Sequence, residues 1–186
     1  GAIGEPILAT AQKSYKFGKA RPDFYRDRAF YGGTLLWVAS HAIDWTYWLM
    51  GDFATLYASH SSADNFGCGD CESHAVMSFT CKNGGMGSIT ADFYQPTASR
   101  SHGDDRVRVA GKDGVIDLQG GKPVLTTHAQ EPRELPMEEA GDFFGDFCAQ
   151  LQGKGNCRLS MEETIAVTRL CLLARQSADN GELITP

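Results

Sequence analysis

The amino-acid sequence predicts an α+β fold, an open and mostly antiparallel sheet with helices packed on one face. Three observations lead there. Short period-two segments meet across tight turns, at Cys81-Lys82-Asn83-Gly84-Gly85 and Gly111-Lys112-Asp113-Gly114, and strands joined so closely run antiparallel. Past residue 140 the apolar residues change to helical spacing, which sets helices apart from strands. At 186 residues, 42% of them hydrophobic and 22% charged, the chain suffices for one core and one domain, 1–186.

Taken in order, Ile7 to Tyr15 can run as the first strand. Arg21-Pro22-Asp23-Phe24-Tyr25-Arg26-Asp27 is a polar, aromatic loop, with Pro22 disfavouring helix before it. Thr34 is an N-cap candidate for a helix from Leu35 to Met50, closed by Gly51. Its apolar and aromatic residues are spread around most of the circumference, which predicts a helix buried between layers. Strands follow at Ala54–Ser59, Ser73–Thr80, Met86–Phe93, Arg106–Val109, Val115–Leu118 and Val124–Thr127. Phe143, Phe147 and Leu151 recur at helical spacing and end near Gly153. Ser160-Met161-Glu162-Glu163 is a capping box that opens a last helix, Met161 to Ala178, stopping before Gly181. A sheet covered on one face leaves the other free, which predicts a homo-oligomer built through that face.

Several function classes are excluded. With 17 Lys and Arg against 23 Asp and Glu the net charge is -6, and no basic run offers a nucleic-acid surface. The most apolar stretch, Gly33 to Gly51, is interrupted by His41 and Asp44 and reads as a helix of a globular domain rather than a membrane span. No secretory pattern opens the chain, and the expectation is a cytoplasmic protein with reduced cysteines. Gly1 to Ile7 reads as a chain entered within a longer protein. Gly32-Gly33, Gly84-Gly85-Met86-Gly87, Gly111 to Gly114 and Gly120-Gly121 all lack the spacing that cradles pyrophosphate, and they read as turns. Cys68-x-x-Cys71-x-x-His74, with Asp70 and Glu72 nearby, begins like a zinc knuckle, but no second pair of ligands follows, so no metal is expected. Glu138-Glu139 and Glu162-Glu163 lie near helix starts, where acids favour the dipole, and need no catalytic explanation.

The segment that could carry chemistry is Gly32-Gly33-Thr34-Leu35-Leu36-Trp37-Val38-Ala39-Ser40-His41-Ala42-Ile43-Asp44-Trp45. Trp37, His41 and Asp44 stand at i, i+4 and i+7, on one helix face. A histidine there can exchange a proton near neutral pH if a polar group, such as Asp44, fixes its tautomer and a cleft admits substrate. A histidine in an apolar helix also serves as a satisfied core residue, and the residues alone leave both readings open. Tyr15, Arg21, Tyr94 and His102, together with Lys16, Tyr25, Arg26 and Arg100, fall in loops or at strand ends that could rim a pocket and bind hydroxyls.

The run Gly-Gly-x-Leu-Leu…His-x-x-Asp…Trp-Leu-x-Gly resembles the C-terminal domain of the glucose–fructose oxidoreductase / inositol dehydrogenase / MocA family. Gly4-Glu5-Pro6, the Arg21–Asp27 loop, Val107–Gly111, Gly114–Ile116 and the Ser160 capping box resemble its other segments in order and spacing. The resemblance implies a two-domain enzyme acting on a sugar, polyol or related hydroxy compound. An N-terminal Rossmann domain would hold NAD or NADP and supply a lysine, while the present domain supplies the substrate pocket and the oligomer surface. It implies that His41 is the acid/base beside the reacting oxygen and that Trp37 and Asp44 contact substrate. One position departs: many members carry an aspartate where Trp37 stands. Either the chemistry rests on His41 and the lysine of the other domain, or the usual reaction is weakened or lost in this branch. The competing expectation from another class is a non-catalytic ligand-binding or assembly module.

Overall fold

A computed structural model describes residues 1–19, 21–137, 139 and 141–186; Glu138 of the paired glutamates lies outside them. Eight strands form one sheet: β1 (Pro6–Tyr15), β2 (Phe53–Ser61), β3 (His74–Cys81), β4 (Met86–Asp92), β5 (Gly103–Gly111), β6 (Gly114–Gln119), β7 (Lys122–Thr127) and β8 (Gln130–Glu134). Their order is β2-β3-β4-β1-β5-β6-β7-β8. All neighbours are antiparallel except β1 and β4. The fold class expected from the sequence is the one observed.

Both turn signals work as their chemistry requires. At Asn83-Gly84, Gly84 adopts φ +87° and Cys81 N donates to Gly85 O at 2.7 Å, the left-handed geometry that glycine permits without strain. The strand missed by the sequence reading is β8, Gln-Glu-Pro-Arg-Glu, exposed along its whole length. It gives no alternation to read because neither face is buried, and Pro132 is tolerated because β8 is an edge strand.

The helices are α1 (Arg28–Tyr31), α2 (Thr34–Trp37), α3 (Ala39–Met50), α4 (Phe143–Leu151) and α5 (Met161–Asn180). α3 lies on β1 and β4, α5 lies on β2, and both touch each other on the same face of the sheet. The inward parity of the strands carries small residues, Ala9, Ala58, Ala75 and Ala91, all essentially buried. They let the helices approach closely, while Val38, Ala42, Ile43, Leu56, Met77, Ile89 and Phe93 fill the space between. Full burial of one such Leu or Ile is worth about 1.5–3 kcal/mol.

Three expectations for the central helix need correction. It is not one helix from Leu35 but two, broken at Val38 (φ -105°, ψ -50°). Nor does Thr34 cap it: Thr34 is the first helical residue, and its amide donates at 3.2 Å to the Glu72 carboxylate, 38 residues away. The helix is also not buried all round, since Trp37, His41, Asp44 and Trp48 form an exposed stripe. Tryptophan carries no sign of its burial in the sequence, so an apolar count overstated the enclosure.

α5 begins with the expected capping box at Ser160 and Glu163 and ends at Gly181 in the left-handed conformation. α4 forms where its spacing predicted, yet none of its residues is buried. Among the described residues no helix is long and apolar enough to cross a membrane.

Candidate active site

The side chain of Lys13 continues the inward parity of Ala9 and Ala11 on β1, so the strand carries an ammonium into the layer beneath α3. That lysine is 7% exposed. It pairs with Asp105 of β5 at 2.7 Å, and its Nζ stands 4.8 Å from the Tyr15 ring centre and 5.2 Å from that of Trp45. The pair satisfies a charge that would be costly to bury alone. Above it, His41 faces solvent from the exposed side of α3 and stacks obliquely on Trp45, 6.3 Å away.

A hollow of about 460 Å³ opens here, lined by Tyr15, Arg21, Leu36, Trp37, His41 and His102. Tyr15 ends β1 and leans on His102, the rings 5.2 Å apart. The Lys16 amide ties the two segments by donating to His102 O at 2.9 Å. Trp37 is 46% exposed but not loose: Phe24, Tyr25 and Tyr31 surround its indole at 5.6, 5.5 and 6.2 Å. The loop from Arg21 to Asp27, a 3-10 turn at Asp23–Arg26, is thus the socket of that tryptophan. A rigid, half-exposed indole is a platform for the apolar face of a sugar-sized molecule.

The turn that launches α2 is held from behind by a charged network around the buried Glu72 carboxylate. Arg28 Nε lies 2.5 Å from Glu72 Oε1 and its Nη2 2.6 Å from Asp179, with His60 within 3.6 Å of both acids. Thr34 Oγ1 also donates to Glu72 O at 2.5 Å and meets Tyr31 OH at 2.7 Å. Gly32 and Gly33 take φ +79° and +106°, which explains the Gly-Gly pair in conformational terms.

His41 has its pKa lowered from the ordinary histidine value, first by burial and next by the ammonium of Lys13; Asp105 and Asp44 push it back up. Its imidazole is therefore neutral at physiological pH and disposed to accept a proton. Asp44 lies one turn on and has its own pKa raised, chiefly by burial. It does not fix the His41 tautomer: no hydrogen bond joins them among the described residues, and Asp44 lines a second hollow on the far flank of α3.

Of the residues singled out from the sequence, Tyr15, Arg21, Trp37, His41 and His102 come together. Tyr94 does not join them. Its hydroxyl turns to Ala63 O at 2.8 Å and Ser73 Oγ at 2.9 Å, so it braces the loop before β3. Lys13 was overlooked, and Glu72 was noted only beside the cysteine pair; a lysine on the inward parity of a strand was the available signal for the first, and nothing local marks the tie of the second to Thr34 and Arg28. Cys68 and Cys71 are buried free thiols, Cys71 pushed up to about 12 by burial first and by Cys68 next. A thiol held protonated is a poor metal ligand. No group of three or more candidate metal ligands converges among the described residues. The one Gly-Gly turn that leads into a helix is closed by the Glu72 carboxylate, which disfavours a phosphate at that turn.

Comparison with known proteins places the fold. Residues 1–117 match the family model described as the GFO/IDH/MocA C-terminal domain. A Thermotoga maritima oxidoreductase structure is 41% identical over 100% of this chain, with TM-score 0.95, and the chain spans 57% of its length. An oxidoreductase structure from Erwinia carotovora atroseptica is 21% identical over 96% of the chain and 57% of its own, with TM-score 0.87. A levoglucosan dehydrogenase in complex with NADH and levoglucosan shares the fold at 17% identity and TM-score 0.79, over 100% of this chain and 60% of its own. No curated protein sequence is significantly similar. The chain belongs to the GFO/IDH/MocA C-terminal domain family.

Proposed function

We propose that this domain is the substrate half of an NAD(P)-dependent oxidoreductase acting on a sugar, polyol or related hydroxy compound, with His41 as the acid/base at the reacting oxygen. The observation that carries the reading is the convergence of Tyr15, Trp37, His41 and His102 on one hollow from three separate segments. Neighbouring folds whose structures hold NADH with levoglucosan or L-sorbose support the substrate class. A nicotinamide held by a second domain would supply the two-electron chemistry. This chain's own residues do the rest. Trp37 and Leu36 receive the apolar face of the substrate, Tyr15 and His102 offer polar groups to its hydroxyls, and neutral His41 takes the hydroxyl proton. The base form exists above the depressed pKa, so turnover in the oxidising direction falls as pH drops through it.

The oligomer surface is proposed on the helix-free face of the sheet, where Ile7, Leu8, Tyr57, Val76 and Met86 are exposed.

The decisive experiment is His41→Asn in the full-length protein. We expect kcat to fall by about 10² to 10⁴-fold with the melting temperature nearly unchanged, because the side chain is on an exposed helix face. Unchanged turnover removes His41 from the chemistry. A wild-type protein that binds polyols but never turns them over with NAD or NADP is instead a binding module.

A further inference from the structure

The chain is acidic, with a net charge of -6, and among the described residues half of its cations without a carboxylate partner stand on two segments beside the hollow, the others (Lys112, Arg133, Lys154 and Arg169) lying elsewhere. Lys13, Arg28, Lys82, Arg106 and four other Lys or Arg residues pair with carboxylates over the rest of the surface and interior, as does Arg26. Lys16, Lys19 and Arg21, just past β1, and Arg100, in the facing loop, have no carboxylate partner among the described residues. Arg21 is the one that lines the hollow. Its guanidinium carbon sits 4.5 Å from the Phe93 ring centre, 4.8 Å from Tyr25 and 5.2 Å from Phe17. Nη2 donates to Lys16 O at 2.9 Å, and Nε is shielded from solvent with no acceptor. Three aromatic faces thus hold a partly desolvated cation in place, while its Nε and its remaining Nη hydrogens have no carboxylate partner among the described residues.

No carboxylate among the described residues lines the same hollow. The two nearest in sequence to His102 are committed elsewhere, Asp104 to Arg106 at 2.7 Å and Asp105 to Lys13 at 2.7 Å. A pinned guanidinium, two imidazoles and an indole wall make a site whose missing element is an oxyanion, since a planar fork accepts a carboxylate in two parallel hydrogen bonds. An uncharged polyol would leave those donors unmet and the cation's lost hydration uncompensated.

We infer that the substrate carries a carboxylate, a sugar acid or other polyhydroxy acid, received by Arg21 while its carbon skeleton lies along Trp37. The inference rests on taking this hollow as the substrate site and narrows the class of compound admitted there. Isothermal titration of the full-length protein with gluconate, the neutral polyol glucitol, glucose 6-phosphate and inorganic phosphate tests it, in wild type and in Arg21→Lys and Arg21→Met. Gluconate should bind roughly 10- to 100-fold more tightly than glucitol, the range of a charged hydrogen-bonded pair. Arg21→Met should abolish that preference and Arg21→Lys retain part of it, which covers the case where loss of the charge disturbs the aromatic cage. Equal binding of gluconate and glucitol, or a preference that survives Arg21→Met, overturns the inference. So does tighter, Arg21-dependent binding of phosphate or glucose 6-phosphate, which would assign the cation to a phosphate. Turnover is read separately: failure of NAD(P)-linked oxidation of every hydroxy compound would overturn the oxidoreductase reading while the gluconate preference still stood or fell by itself.

Discussion

α3 separates two hollows that differ in almost every respect. On one flank lies the His41 cleft, about 460 Å³, lined by titratable and aromatic side chains that the fold holds rigidly. On the other lies a larger groove, about 560 Å³, where Trp45, Trp48, Leu49, Val107, Ile116 and Phe143 form an almost wholly apolar wall. Size and apolar character would rank the groove first as a ligand site. The side chains say otherwise. The cleft has a scaffold of buried charge behind it and unused hydrogen-bonding groups in front. In the groove, Trp48 is 74% exposed, and α4, which contributes Phe143, buries none of its residues. Apolar area marks where water is unwelcome; only convergent polar groups mark where a small molecule can be turned and deprotonated.

That contrast can be broken or sharpened by measurement. After His41→Asn, the largest expected effect is on the scaffold: Glu72→Ala removes an acid that pairs with Arg28 and receives the Thr34 amide. Loss of one partner of a buried pair costs about 3–5 kcal/mol when both are enclosed; Arg28 retains some solvent, so roughly 2–3 kcal/mol is expected. Thermal unfolding should then shift down by about 5–10 °C, and a shift under about 2 °C would show that the cleft wall stands without this network. Next comes Lys13→Met. Removing the ammonium takes away a cause of the low His41 pKa and leaves Asp105, which acts in the opposite direction. NMR titration of the His41 ring should show the pKa rising, moving the acid limb of the activity profile to higher pH; no shift would mean that the lysine is screened from the imidazole. The smallest effect is expected in the groove. Trp48→Ser should change the stability of the folded chain by no more than about 0.5 kcal/mol and leave the His41 titration where it was. A large loss of melting temperature in that variant would show the groove to be covered in solution by part of the protein itself.

Much of the fold was legible because it is written in local patterns. The hairpin turns at Asn83-Gly84 and Gly111–Gly114, the period-two strands and the Ser160–Glu163 capping box each depend on residues within a few positions of one another. β8 was illegible for the complementary reason, since an edge strand exposed on both faces carries no alternation. His41 and Trp37 could be placed on one helix face by counting, whereas the break at Val38 and the exposure of the stripe could not, because both depend on what the helix packs against.

The sequence by itself determined most of the elements, which of those strands are joined by hairpins, and that a histidine and a tryptophan share one side of a helical stretch, because short-range sterics and periodicity settle those matters. Tertiary structure alone decided that Tyr15, Arg21 and His102 meet them, that Asp44 and Tyr94 face elsewhere, and that Glu72 caps a helix begun 38 residues earlier. Contacts between distant segments depend on the register in which strands pair and the depth at which helices settle on them, and no local run of residues encodes either.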